Sequence, residues 1–231
     1  PRSTLSSSSA ASDVYKRQDP LRWYLVAMGT FSKSRRIRPE EVRQAFRILN
    51  TFWNVSSFVS SQSQLLNYSS GGKIDVEKLH VMDRWFMSKV EGLRSFCLVH
   101  YQNNEPWKAL SCISEFIMVD FSRTYLPWVK KEMRGELTHE EKEVKLSILV
   151  NAVKDICIFL NPVCPFISDV IYTSFEPDVL TIQMLRFPPV RPDIRDEALE
   201  GDIDLIGRLS RVAKRVMSRE GRKQRWGVSR I

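Results

Sequence analysis

The 231-residue sequence is poor in glycine, with nine, and has only four cysteines and three histidines. With so few glycines and neither common Gly-rich phosphate loop, a self-contained doubly wound nucleotide enzyme is not expected. No stretch nears the roughly 18 consecutive apolar residues of a membrane helix, because polar side chains interrupt even the most apolar segment, 156–166. A soluble chain with no membrane partner is expected. The cysteines (Cys97, Cys112, Cys157, Cys164) stand 15, 45 and 7 residues apart, which is no zinc spacing. All four lie among apolar residues, so buried reduced thiols in an intracellular, cytoplasmic protein are expected. His80, His100 and His139 have no Cys, His, Asp or Glu set at ligand spacing. Neither a metal site nor a catalytic set is predicted. The acids Glu136, Glu140, Glu141 and Glu143 read as a solvated helix start rather than an acid/base pair.

What is present is ordinary globular composition, 43% hydrophobic and 27% charged, with a net charge of +8. That charge is localised. From residue 208 onward nine Lys/Arg face one acid, Glu220, which leaves 26 of each sign in the first 207 residues. Such a segment fits a polyanion partner, or an acidic complement elsewhere in the polypeptide.

Residues 1–18 lack apolar periodicity and a signal-peptide core, and are read as a disordered or foreign leader, with native-looking sequence from Asp19. Residues 19–38 read as a connection. Pro39, Glu40 and Glu41 then open an amphipathic helix through Val42, Phe46, Leu49, Trp53 and Phe58, which runs out in the polar stretch 60–72. Asp83 is placed as the N-cap of a second helix carrying Phe86, Val90, Leu93 and Cys97 inward. A third helix follows Pro106 through Leu110, Ile113, Ile117, Phe121 and Tyr125, and Pro127 ends or kinks it. Thr138 and Glu141 form a capping box for a fourth, through Val144, Ile148, Ala152, Ile156 and Phe159, broken by Pro162 and Pro165. A shorter helix spans about 165–175, an extended apolar piece 179–187, and a Pro-rich link follows. The last helix, roughly 197–220, is expected to turn Ile203, Ile206, Val212 and Val216 inward and its arginines outward. Six helices and almost no strand make an all-α bundle with a short extended segment near the C-terminus.

Aromatic residues recur beside basic ones: Trp85 after Arg84; Tyr125, Trp128, Lys130, Lys131 and Arg134; and Arg222, Lys223, Arg225 and Trp226. Unstacked RNA bases are held on aromatic or guanidinium planes while cations hold the phosphates. Trp85 and Tyr125 lie on apolar stripes and read as core. At Trp128, Lys130, Lys131 and Arg134, and along the basic helix with Arg215 and Arg219, RNA contact and a plain solvated face both stay open. The Phe31-Ser32-Lys33-Ser34 turn reads as solvated loop charge or as a phosphate contact.

The segments DPLRWYLV (19–26), NTFWN (50–54), MDRWFMS (82–88), DFSRTY (120–125) and LNPVCPFI (160–167) resemble, in order, the run into and through the anticodon-binding domain of class I aminoacyl-tRNA synthetases. RFPPV (186–190) and GRKQRW (221–226) make the isoleucyl-tRNA synthetases the most similar of that class. The resemblance covers residues 19–231 and implies a domain organisation. Residues 19–38 would end the catalytic-domain connection, 39–187 would form the anticodon-binding helical bundle, and 188–231 a linker with a truncated basic helix. It also implies a parent enzyme that attaches isoleucine to its tRNA with ATP and Mg²⁺, none of which this part would bind catalytically. A tRNA acceptor for isoleucine would be the partner; isoleucine and ATP would be reached through the catalytic domain. Trp128 and Trp226 would stack on bases, while Lys130, Lys131, Arg134, Arg215, Arg219, Arg222, Lys223 and Arg225 would hold phosphates. The 31–34 turn follows the Leu-Arg-Trp segment, whereas the family's catalytic Lys-Ser loop precedes it, so no ATP role passes to it. Leu126-Pro127-Trp128 departs from the basic residue usual there. The valyl, leucyl or methionyl enzymes, and a non-enzymatic helical adaptor with a basic tail, are the alternatives.

Overall fold

The computed structural model describes residues 9–29, 38–68, 76 and 79–219, without the side chains of residues 9–17 and 218. The described residues are helical with no strand, and they form two compact units that divide between Arg195 and Asp196. No helix among them is long and apolar enough to cross a membrane.

The first unit is built around α6 (His139–Leu160), which is buried on nearly every side from Lys145 onward. Its start is the predicted capping box. The Glu141 amide donates to the Thr138 hydroxyl at 3.3 Å, and the Thr138 amide donates to the Glu141 carboxylate at 2.8 Å. The Thr138 amide, and the Thr138 hydroxyl donating at 2.9 Å, hold the Glu141 carboxyl below its usual range. Pro162 and Pro165 separate α6 from α7 (Pro165–Phe175), as the sequence implies.

α2 (Pro39–Leu65) runs past the expected break at 60, with the Ser61 and Ser63 hydroxyls donating back to the carbonyls of Ser57 and Val59. Its buried face is Ala45, Ile48, Leu49, Phe52, Val55, Ser56 and Val59, which is not the predicted stripe; Phe46 is exposed. α3 (Val81–Gln102) is capped by His80, whose Nδ1 accepts from the Met82 amide at 3.1 Å, and not by Asp83. Asp83 is 2% exposed and serves the interior instead.

Pro127 does not end the third helix. α4 (Pro106–Glu115) passes into a π-helical segment, Phe116–Tyr125, and then into α5 (Leu126–Met133). The wider turn resets the hydrogen-bond register, so Pro127 falls in the first turn of α5, where its missing N–H costs little. Phe86 holds this rod to α3 by stacking on Tyr125 at 3.9 Å and 7°, with Phe121 and Phe116 beside it.

α1 (Ser9–Ala27) begins inside the stretch read as a leader and continues through Pro20 into the bundle, burying Trp23 and Tyr24. That burial offsets the roughly 3 kcal/mol an interior proline costs a helix. Asp19 is fully buried and its Oδ2 accepts from the Ile167 amide at 2.8 Å, a cap supplied across the fold to α7, whose own cap residue gives none. Segment 176–195 contains 3₁₀ turns at Ile182–Met184 and Pro192–Ile194 in place of the expected extended piece. The Asp169 carboxylate sets the first by accepting from the Thr181 hydroxyl and the Ile182 amide. The thiols of Cys97, Cys157 and Cys164 are free and buried, as expected; Cys112 is free and half-buried.

The second unit contains α8 (Glu197–Arg219). Its arginines are exposed, but so are Ile206, Val212 and Val216, which the sequence reading placed inward; Ile203 is half-buried. An amphipathic pattern marks which side is apolar, whereas burial needs a second surface.

Burial pushes the Asp19 carboxyl from 3.8 up to about 6, against the opposing pull of the Ile167 amide and Arg22. The native state therefore holds this proton more tightly than the unfolded chain. The stability it contributes is present below about pH 4 and is lost as pH rises through 6. Relative to Asp19→Asn, the parent chain should lose on the order of 2 kcal/mol between pH 4 and pH 7 in urea unfolding. Parallel profiles for the two proteins would refute the assignment.

Candidate nucleic-acid interface

The predicted basic-aromatic residues of the first unit gather where α5, the start of α3 and the start of α6 meet. Pro127 sets Trp128 in the first turn of α5, half-buried. The indole stacks on the His80 ring at 4.9 Å and 29°, with the Lys145 ammonium 4.2 Å from its ring centre and Tyr125 at 5.7 Å. Lys145 is itself buried and donates to Asp83 Oδ2 at 3.1 Å, while the Tyr125 hydroxyl donates to Asp83 Oδ1 at 2.6 Å. Burial and the adjoining Asp83 carboxylate push the Tyr125 phenol well above its usual range, so it stays a donor. This buried triad fixes the floor beneath Trp128.

Lys130 follows on α5, half-buried, its ammonium 4.2 Å from the Phe58 ring centre of α2. Lys131 and Arg134 are exposed at the C-terminal end of α5, where cations also meet the negative end of the helix dipole. Glu132 and Glu136 share this end, so its charge is not of one sign. Trp128, Lys130, Lys131 and Arg134 thus lie along α5 and its C-terminal end, with Trp128 against His80 and Lys145 and Lys130 against Phe58. The Trp128 ring already has His80 and Lys145 against it, which leaves less of its face open than the sequence implied.

Arg215 and Arg219 are exposed on α8, in the other unit. Arg222, Lys223, Arg225 and Trp226, and the 31–34 turn, lie outside the described residues. Sequence reasoning missed His80, Lys145 and Phe58 as members of this end, and misread Asp83 as a cap. Lys145 did leave a signal: a lysine between Val144 and Leu146, at a position whose neighbours are apolar, must be paired if it is buried.

No group of three or more His, Cys, Asp or Glu able to hold a metal occurs among the described residues. The cysteine thiols are pushed up by burial, which disfavours the nucleophilic thiolate. An open cleft of about 720 Å³ lies between α1, α2 and α4, lined by Trp23, Tyr24, Trp107, Arg38 and Glu41. Among the described residues its lining holds the exposed Arg38–Glu41 bridge at 3.4 Å and no acid/base pair. What this arrangement offers chemically is a rigid surface with cations and one supported indole.

Residues 83–230 match the anticodon-binding domain of tRNA ligase, and the chain belongs to that family. Among its curated relatives is the isoleucine-tRNA ligase of Natronomonas pharaonis, 27% identical over 216 residues that make up 92% of this chain and 20% of that protein. The isoleucine-tRNA ligase of Methanothrix thermoacetophila is 27% identical over 228 residues, 95% of this chain and 22% of that protein. That of Methanopyrus kandleri is 25% identical over 219 residues, 92% and 20% respectively. The chain spans about a fifth of the length of these relatives.

Proposed function

We propose that this chain is the anticodon-binding part of an isoleucine-tRNA ligase acting in cytoplasmic translation, and that it holds the anticodon stem-loop of the tRNA for isoleucine. What supports the reading is that a bundle of this family carries Lys130, Lys131 and Arg134 on the same helix end as Trp128, whose ring lies over the buried Lys145–Asp83 pair. The exposed cations would take phosphates and Trp128 an unstacked base; Arg215, Arg219, Arg222, Lys223, Arg225 and Trp226 would extend the contact along the tRNA.

The ligase reaction itself, which joins isoleucine to tRNA with ATP and Mg²⁺, is assigned to the parts of such an enzyme beyond these residues. On this reading no chemical step is assigned to this chain, whose sequence has no Gly-rich phosphate loop. Its contribution is positional. Holding the anticodon stem-loop would select which tRNA is presented to the distant active site.

The test is a titration of the chain with an isoleucine tRNA transcript at 50 and 200 mM salt. Affinity should fall steeply with salt, and the isolated anticodon stem-loop should compete. The Lys130→Ala/Lys131→Ala/Arg134→Ala variant should bind more weakly and lower the slope of log affinity against log salt by about two to three. Salt-independent binding, or a stem-loop that does not compete, would count against the proposal and favour an acidic protein as the partner.

A further inference from the structure

Two contacts fix the ring of His80. Its Nδ1 accepts from the Met82 amide at 3.1 Å, and its plane lies on the Trp128 indole at 4.9 Å and 29°. The residue is nonetheless exposed, so the face of the imidazole away from the indole is turned to solvent. Capping alone does not account for a ring at this place. A helix N-cap needs only a short acceptor, which Ser, Thr, Asp or Asn supplies better.

Behind the ring the support continues inward. The Lys145 ammonium stands 4.2 Å from the Trp128 ring centre, and Lys145 is itself buried on Asp83. Trp128 is half-buried with both groups against it, so the outermost aromatic plane of the stack is that of His80. Because cap and stack already hold this plane, little conformational freedom is lost when a second plane is laid on it. Lys131, exposed, is three residues from Trp128 and so on the same side of α5, a side that Glu132 shares.

We propose that His80 is the platform on which an unpaired base of the anticodon loop stacks, with Trp128 behind it and Lys131 placed for an adjoining phosphate. The inference rests on the tRNA reading above and moves the base from the indole to the ring that covers it. Stacking needs only a π-face on the base, so this platform supplies affinity and a fixed position for the loop rather than a choice among bases.

The test is a titration of the 231-residue chain, its histidines labelled with ¹³C, with an isolated isoleucine anticodon stem-loop RNA. The sequence has three histidines, so their ring signals are few. A base laid on His80 should move its ring protons upfield. His100, 20 residues further along α3 and so about 30 Å away, should not respond. His80→Asn keeps an acceptor for the Met82 amide but has no ring, and should weaken stem-loop binding about tenfold. His80→Phe gives up the acceptor but keeps the plane, and should bind within about twofold of the parent chain, with the helicity of both variants checked by circular dichroism. A role in capping alone predicts the reverse order. Bound stem-loop that leaves the His80 signals unmoved overturns the inference while the tRNA reading stands, and so does His80→Asn binding as tightly as the parent chain. A parent chain that does not bind the stem-loop overturns both.

Discussion

Arg94→Met should cost about 3–5 kcal/mol at pH 7 and distinctly less at pH 5. Arg94 is 2% exposed on α3, between Glu91 one turn earlier and Asp155 of α6, to which its Nη2 donates at 2.5 Å. Its other terminal nitrogen reaches the Pro189 carbonyl at 3.5 Å, and the Arg191 amide donates to Glu91 Oε1 at 2.6 Å. The guanidinium therefore neutralises two buried carboxylates and ties segment 189–191 to α3 and α6. Methionine fills the space but leaves Asp155 without its cation in a site where burial already holds its carboxyl above the usual range. Removing Arg94 raises that carboxyl further. The variant's folded state then takes up a proton that its unfolded state releases, and its deficit shrinks as pH falls through the native titration. Urea unfolding at the two pH values measures it, and an equal cost at both would show that Arg94 acts by packing alone.

Lys145→Met should be nearly as damaging, about 3 kcal/mol, and should be largely repaired by a second change. Lys145 is 6% exposed, with the Asp83 carboxylate and the Trp128 ring against its ammonium. Without it, Asp83 stays buried on the Tyr125 hydroxyl alone. A buried ion pair is strongly destabilising to break from one side and far less so to remove whole. Asp83→Asn/Lys145→Met should therefore unfold at higher urea than Lys145→Met, a coupling that a double-mutant cycle reads directly. If the two losses simply add, Asp83 and Lys145 do not depend on each other. The same pair of variants bears on the interface, because Lys145 supports Trp128. Trp128 emission and tRNA affinity should both shift in Lys145→Met at temperatures where the bundle is still folded.

Much of the architecture was legible residue by residue. Thr138 with Glu141, Pro39 with its two acids, and Pro162 with Pro165 are local signals, satisfied by the amides and carbonyls next to them in the chain, and the structure has each where the pattern puts it. Asp83 and Pro127 misled for the same reason in reverse. An aspartate just before an apolar stripe looks like a cap until Tyr125 and Lys145, 42 and 62 residues away, claim its carboxylate. Pro127 looks like a stop until the π-helical turn before it moves it into a first turn. The stripe on α2 was misplaced because aromatic side chains at Phe46 and Phe58 outweighed the smaller Ala45 and Ser56 that the neighbouring helices leave room for.

The candidate interface divides similarly. The clustering of Trp128, Lys130, Lys131 and Arg134 is visible because they lie within seven residues of one another at a helix end. The distant parts that hold Trp128 in place come from the starts of α3 and α6, and no spacing announces them.

By itself, the sequence determined an all-α chain, the caps and breaks of most helices, the family, and the location of its excess charge. Those properties depend on hydrogen bonds and apolar periods within a few residues of each other. Only the tertiary structure decided that α1 joins the bundle, that Asp19 caps a helix 148 residues away, and that Asp83 and Lys145 neutralise each other beneath Trp128. The reason is that burial turns a polar side chain from an asset into a cost unless a partner is at hand, and which partner is at hand depends on how the helices pack.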